Sequence, residues 1–448
     1  MQWITLAAEP NPGHPKQRGP TMRLKNRRAT YLVGATAGIA ALLAGCATTP
    51  QDSGPQTIVF AGYASAAGAF EARADAFHEA HDDITVEVQG IPANSWGELL
   101  QAISVNIAGG ESPDVADIAS EGQRAFIDSG LIAPIDDYLA RDADELQETL
   151  DDIDPRLLES LQVDGTTYGL PTVWNSMVIY YNKNVLEAAG LEAPTEDWTI
   201  DDFIEMSQQV VASSGGESYG YAFSPGYFTT LMPWMLQTGG SVLSDDWSES
   251  RLAEPETIEA VQLLHDFVHE YGISPQLDAG VTDTDLFTQN KLAFMGAGMW
   301  QVNALRNAGF TPEDYDVVKF PAGSQSRTLI GVGAAPIFAA GAHQEAAWEF
   351  AKFLSSKEFQ ETFVVQDGWS IPATRGAFEL MLEQDFFPDN GAIFYDLLDE
   401  AVLVPAPAQY GDIESALVRE FTAAMSDGKT VEQAMTDADA AVNGALAR

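Results

Sequence analysis

Between residues 57 and 119 the chain alternates between apolar extended runs and helix-period stretches, and this order restricts the fold more than any other feature. Residues 57–61 read as a strand that stops at Gly62-Tyr63-Ala64-Ser65. A helix follows, with Phe70, Ala74 and Phe77 on one face, and residues 84–88 alternate as a second strand. A second helix over 96–107 is ended by Gly109-Gly110, and Pro113-Asp114-Val115 opens a third strand that runs to Ala119. Strand–helix–strand–helix–strand predicts a parallel sheet with right-handed crossovers. Ligands of such sheets sit beyond the carboxyl ends of the strands, which brings forward Tyr63, Ser65 and Glu121.

The stretch 164–190 is the second informative segment. Asp164-Gly165 is a hairpin-turn dipeptide, and a short strand over 167–170 is expected to stop at Pro171. Trp174-Asn175 places an aromatic beside an amide. Residues 177–181 are an apolar, β-branched and aromatic run, hence a buried strand. Asn182 can cap the next helix and Gly190 can end it. A polar–aromatic pair at the joint between a hairpin and a buried strand is where a cleft between two lobes would be lined.

Downstream, helices are expected over 200–211 (introduced by Trp198-Thr199), around Trp234, and over 258–271 and 346–354. Strands are expected over 219–223, over a segment that residues 290–295 lead into and that ends at Gly298-Met299-Trp300, over 317–320, and after Gly331-Val332-Gly333. The rest reads as helical, with a closing segment near Lys429-Thr430-Val431.

The amino terminus stands apart. Arg23, Lys25, Arg27 and Arg28 precede a small apolar run, 29–41, closed by Leu43-Ala44-Gly45-Cys46. That run is short for a membrane span, and the pattern is that of a secretory signal over residues 1–45. Residues 1–21 resemble neither signal nor domain, which leaves Met22 as a candidate start. The ending resembles a bacterial lipobox, in which Cys46 is diacylated; two acyl chains anchor stably where one does not. Residues 46–56 then form a polar tether. Cys46 is the only cysteine, so neither a disulfide nor a cysteine-based metal site or nucleophile is available.

Residues 1–45 hold six of the 22 basic and one of the 66 acidic residues, so the remaining 403 carry 16 basic and 65 acidic residues, a formal charge of −49. Such a surface repels nucleic acid and anionic membrane. The length suits two lobes or two to three domains.

Taken in order, several short motifs resemble the extracellular (family 1) solute-binding proteins of bacterial ABC sugar importers. They are Gly110-x-x-Pro113-Asp114-Val115, Gly130-Leu131-Ile132-x-Pro134-Ile135, Tyr168-Gly169-Leu170-Pro171 with Tyr181-Asn182-Lys183, and Trp198-x-x-x-x-Phe203. Gly239-Gly240, Phe287-x-x-x-Lys291-x-Ala293-Phe294 with Gly298-x-Trp300, Ala347-Trp348-Glu349-Phe350 and Gly368-x-x-x-Pro372 follow. The resemblance spans residue 57 to the C-terminus. It implies an α/β, two-lobed periplasmic-binding-protein-like fold, each lobe a largely parallel sheet flanked by helices, joined by three crossovers near 173–176, 320–323 and 366–368. The N-lobe would comprise 57–173 and 323–365, the C-lobe 174–322 and 366–448. The family's binding positions match Glu121, Asn175, Tyr227 and Trp300, although the family often has an acid where Asn175 stands.

Other motifs weigh less. Gly216-Glu217-Ser218-Tyr219-Gly220 fits the G-x-S-x-G elbow, but that elbow needs strand, turn, then helix, and here the order is reversed. His265 and His269 have the i,i+4 spacing of zinc ligands, yet no third ligand is near in sequence, so a surface helical pair is expected and no metal. Carboxylates suited to glycoside hydrolysis are too abundant for any chosen pair to inform. Among the tryptophans, Trp198 and Trp348 belong with apolar helical neighbours in the core. Trp174, Trp300 and Trp369 are expected in Gly/Pro-bearing loops at strand ends, where an indole could cover the C–H face of a sugar while Asn175, Glu121 and Ser65 bind its hydroxyl rim. Tyr63, Tyr227 and Gly331 complete the candidate site, and Trp96 and Trp234 stay undecided.

The expectation is a lipid-anchored, extracytoplasmic, monomeric binding protein without cofactor that delivers a neutral carbohydrate to the permease subunits of an ABC importer and does no chemistry. A surface-anchored glycoside hydrolase and a sugar-sensing subunit are the alternatives.

Overall fold

The computed structural model describes residues 55–93, 95–276 and 281–448, and Gly54–Arg448 forms one unit. The expected export signal, Cys46 and the tether as far as residue 54 lie outside the described residues.

The first sheet has the expected parallel topology. Strands β1 (Gln56–Tyr63), β2 (Ile84–Ile91) and β3 (Val115–Ala116) stand in the order β2-β1-β3, and both pairings are parallel. The helix Ala67–Ala80 crosses between β1 and β2 and buries Phe70, Ala74 and Phe77, the face that its apolar spacing predicts. Phe60 of β1 meets the edges of Phe70 and Phe350 at 5.0 and 5.1 Å, so the helix Gln344–Ser355, far on in the chain, covers the same sheet.

The expected third strand is divided between two sheets. After β3 the chain turns at Asp117, whose N–H donates to Ala61 O at 2.8 Å, and β4 (Ile118–Ala119) pairs antiparallel with a strand more than 200 residues later. A local apolar run cannot distinguish one straight strand from two short ones that serve different sheets, because the partner decides.

Next comes the hairpin of β5 (Gln162–Val163) and β6 (Thr166–Thr167), whose turn residues Asp164 and Gly165 both have positive φ (51° and 79°), as a type I′ turn requires. Pro171 does not end a strand but opens β7 (Pro171–Ser176), at the first position, where its missing N–H costs no ladder bond. β8 (Val178–Asn182) is buried throughout. Asn182 Oδ1 accepts from Val185 N–H at 3.1 Å and caps the following helix, and Gly190 follows it at φ 70°. Thr199 and Asp202 form a capping box at the head of the helix Ile200–Ser213.

β9 (Tyr219–Tyr221), β10 (Leu292–Ala297) and β11 (Tyr315–Val318) join β8 in the order β11-β8-β10-β9. Here the largely parallel expectation is corrected: β8 runs antiparallel to both neighbours, and only β9–β10 is parallel. The crossover rule governs consecutive strands. The neighbours of β8 arrive over 100 residues later, so local order does not set their direction.

β12 (Thr328–Ala334), β13 (Ile371–Pro372) and β14 (Ala401–Leu403) build a third sheet, β13-β7-β12-β14, with β4 also on β12. Gly331 and Gly333 lie inside β12 rather than ahead of it. This sheet draws strands from the early, middle and late chain, and the cleft opens beside it. Trp198 and Trp348 are both buried, as expected. Among the described residues no helix is long and apolar enough to cross a membrane.

Candidate functional site

A cleft of about 1010 Å³ lies beyond the ends of β1 and β4, and all nine candidate residues are among those lining it. They differ in what their side chains offer.

One wall is acidic. Ser120 and Glu121 begin a helix (Ser120–Asp128) directly after β4. Ser120 Oγ donates to Glu121 Oε2 at 2.9 Å and accepts from Val332 N–H at 3.2 Å, which fixes the carboxylate against β12. Burial pushes the Glu121 carboxyl up to about 7, against the lowering effect of its hydrogen bonds. Gly331 faces it: a Cβ there would stand 2.3 Å from Glu121 Oε1, so only glycine leaves the carboxylate its place. Asp117, at the turn between β3 and β4, is likewise raised by burial, with Arg73 opposing. Tyr63 ends β1 and meets Trp96 edge-on at 5.1 Å. Ser65 follows in a short 3-10 turn (Ala64–Ala66) and is exposed. Glu414, from the helix Tyr410–Met425, accepts from Gly97 N–H at 3.3 Å, and burial raises it too.

A second part of the lining is aromatic and adjoins Glu121 through Phe228, which a Cβ on Gly331 would approach to 3.0 Å. Trp300 opens the helix Trp300–Asn307 and is partly buried, tilted against Phe228 at 6.3 Å. Its ring folds back over Gly298, where a Cβ would sit 2.1 Å from a ring carbon. Trp369 is 45% exposed, a high value for so large an apolar side chain.

Asn175 lies between the walls. Its Oδ1 accepts from Met299 N–H at 3.0 Å and its Nδ2 donates to Ser370 Oγ at 3.2 Å, so the amide holds in place the turns that carry Trp300 and Trp369. Each amide atom keeps further capacity for a ligand.

Two expectations are corrected. Trp174 does not sit in an open joint: it is fully buried in β7, its Nε1–H donates to Pro372 O at 3.0 Å, and its ring meets Tyr395 edge-on at 5.5 Å. The alternation of β7 turns Trp174 into the core while Asn175 faces the opposite side, so adjacent residues take opposite roles. Tyr227 is also fully buried; its hydroxyl donates to Pro405 O at 2.8 Å and its ring stacks on Tyr410 at 5.2 Å. It supports the floor of the cleft and does not present a free face.

Asp117, Tyr410 and Glu414 line the cleft and were not singled out from the sequence, and Trp96, undecided there, lines it too. Asp117 lies where the carboxyl-end rule could have found it. Tyr410 and Glu414 come from a helix almost 300 residues beyond Glu121, and no local signal marks them. Ser218 is not among the residues lining the cleft; its N–H donates to Ser214 Oγ at 3.0 Å ahead of β9.

A profile of the family described as bacterial extracellular solute-binding protein matches residues 63–361. The chain belongs to that family. Among the relatives of this solute-binding protein is a binding protein of Brucella abortus (strain 2308), 26% identical over 82% of this chain and 88% of its own length. A maltotriose-binding protein of Pyrococcus abyssi is 27% identical over 58% of this chain and 54% of its own length. An ABC substrate-binding protein of Listeria monocytogenes, solved in complex with cycloalternan, superimposes with a TM-score of 0.79 at 24% identity, covering 88% of this chain and 99% of that one. The architecture is therefore the two-lobed, α/β fold of such binding proteins, and the family and its similar structures are binding proteins.

Proposed function

We propose that this solute-binding protein captures a neutral carbohydrate, of oligosaccharide size, between its two lobes and delivers it to the permease subunits of an ABC importer. The observation that carries the reading is the lining of one cleft, which combines partly exposed indoles with buried carboxylates. A sugar ring has an apolar C–H face and a rim of hydroxyls, and indoles and carboxylates in one lining suit these two surfaces. A cleft of about 1010 Å³ suits several linked sugar units, and a maltotriose-binding relative and a cycloalternan-bound structural neighbour support the same class. Ligand contact is assigned to Trp300, Trp369, Tyr63, Ser65, Asn175 and Glu121, with Gly331 making room. The lobes are taken as 57–173 with 323–365 and 174–322 with 366–448, closing about crossovers near 173–176, 320–323 and 366–368. The sugar site needs no cofactor.

A thermal-shift screen across mono- and oligosaccharides, maltotriose included, tests this. A sugar at 100 times its dissociation constant should stabilise by about 2.7 kcal/mol; a screen in which no carbohydrate moves the transition overturns the reading. One observation favours a glycoside hydrolase instead: Glu121, pushed up to about 7, has the character of a general acid. Product analysis after incubation with oligosaccharides separates the two, since a binding protein returns them intact.

Anchoring at Cys46 on the outer face of the cell membrane is part of the proposal and rests on Leu43-Ala44-Gly45-Cys46. Cys46→Ser should leave the protein without acyl chains by mass spectrometry; acylation persisting in that variant removes the assignment.

A further inference from the structure

Outside the cleft lining, two histidines and an aspartate meet in a way that the sequence did not announce. His265 and His269 lie one turn apart on the helix Pro255–His269, with rings stacked at 4.2 Å. Asp427 comes from the turn between the last two helices, Tyr410–Met425 and Val431–Leu446. Its Oδ1 lies 3.4 Å from His265 Nε2 and its Oδ2 lies 3.6 Å from His269 Nδ1. Donor atoms of the three residues fall within 4.8 Å of one another.

Those separations are long for charge-assisted hydrogen bonds, which run at about 2.7–2.9 Å. They leave the two nitrogens facing the two oxygens of one carboxylate, and rotation of the rings out of their stack would bring the three donors to the distance of about 2.0–2.2 Å that zinc takes. The surrounding groups suit ligation as well. His269 Nε2 is 3.0 Å from Met425 O; as the donor there it is fixed in the tautomer that leaves Nδ1 free to ligate. With Nε2 as the ligand, His265 Nδ1 carries the proton, and a small side-chain movement would bring Asp266 Oδ1, 3.5 Å away, within reach to accept it. Asp427 has no Lys or Arg within ion-pair distance among the described residues, because Lys429, the cation of the same turn, is held by Glu420 and Asp437. Asp427 also has φ 56°, a left-handed conformation, and this backbone carries the carboxylate.

The geometry points to a divalent-cation site of the zinc class, formed by His265 Nε2, His269 Nδ1 and the Asp427 carboxylate, with a fourth position for water. Two nitrogens and one carboxylate suit zinc and neighbouring transition metals, and give a hard cation such as Mg²⁺ too few oxygens. Its effect is to fasten the turn after the helix Tyr410–Met425 to the helix Pro255–His269. The former helix lines the cleft from Tyr410 and Glu414 as far as Arg419, which is six residues or about 9 Å before the helix end. The site is therefore a brace for a cleft-wall helix and not part of the cleft.

Calorimetric titration of the chelator-stripped protein with ZnCl₂ tests this. One Zn²⁺ per chain should bind with a dissociation constant in the micromolar range or below, and saturation should raise the melting temperature by a few degrees. Millimolar MgCl₂ should not. Asp427→Asn keeps the turn's conformational tolerance and should weaken Zn²⁺ at least tenfold; the double variant His265→Gln, His269→Gln should abolish the site. Circular dichroism of each variant establishes that it is folded. The proposal is overturned if no site tighter than about 100 µM is found. It is equally overturned if the tight site survives in the variants, which would place the metal on the acidic surface or at Cys46, or if the cluster responds to pH but not to Zn²⁺.

Discussion

The two walls of the cleft are built from different chemistry by different routes. The wall of Tyr63, Asp117 and Glu121 follows directly from strand ends of sequence-local units, and its carboxyls are raised by burial. The wall of Trp300 and Trp369 consists of side chains on turns that Asn175 holds from below. The acidic wall stores unfavourable electrostatics in the protein without ligand, because burying carboxylates disfavours their ionised form. The aromatic wall leaves apolar surface in contact with water. A ligand with hydroxyls on its rim and C–H groups on its face would relieve both. The comparison teaches that affinity should reside mainly on the aromatic wall and pH dependence on the acidic one.

The sharpest test of that division is a tryptophan that belongs to neither wall. Trp174→Ala leaves a cavity in a fully buried site and should cost about 3–5 kcal/mol of stability, read from denaturant unfolding. The fraction that stays folded should bind sugar nearly as before. Trp300→Ala comes next. Losing a stacked aromatic and its apolar contact removes roughly 2–4 kcal/mol of binding, or roughly 30- to 1000-fold in affinity. Wild-type affinity in a folded Trp300→Ala protein would end the case for an affinity-bearing aromatic wall.

On the acidic side, Glu121 titrates near 7 when folded and near its ordinary value, about 4.5, when unfolded. Between those values the folded state binds more protons, so stability falls as pH rises through this window and the loss is complete above about 7. The contribution is on the order of 3 kcal/mol. Asp117 and Glu414, also raised by burial, act with the same sign. Glu121→Gln should flatten the dependence of the urea midpoint on pH between 5 and 8 and raise stability at pH 8; an unchanged slope would show that the carboxyl is not held as its burial implies. The smallest effect belongs to Trp369→Ala. This ring remains largely solvent-facing, so its loss should weaken binding by about tenfold or less. A loss as large as that of Trp300→Ala would mean that lobe closure brings Trp369 fully over the ligand.

Apolar periodicity, caps and turn residues determined the local elements. The helix Ala67–Ala80 with its buried Phe70, Ala74 and Phe77, the Asp164-Gly165 turn, the Asn182 cap and the parallel β2-β1-β3 sheet were all legible, because each depends on neighbours within a few residues or on a consecutive crossover. So was the gathering of nine candidate residues at one cleft, through the strand-end rule and the family resemblance. Only the tertiary structure decided how each side chain is used. The pleat of β7 sent Trp174 inward and Asn175 outward. The choice of β12 as partner cut the third strand at Asp117, and the helix Tyr410–Met425 brought Tyr410 and Glu414 to the cleft and Asp427 to two histidines. These outcomes depend on pairings between segments 100 to 300 residues apart. Local sequence restricts which of its own faces a segment buries, but which distant segment covers that face is settled by packing of the whole chain.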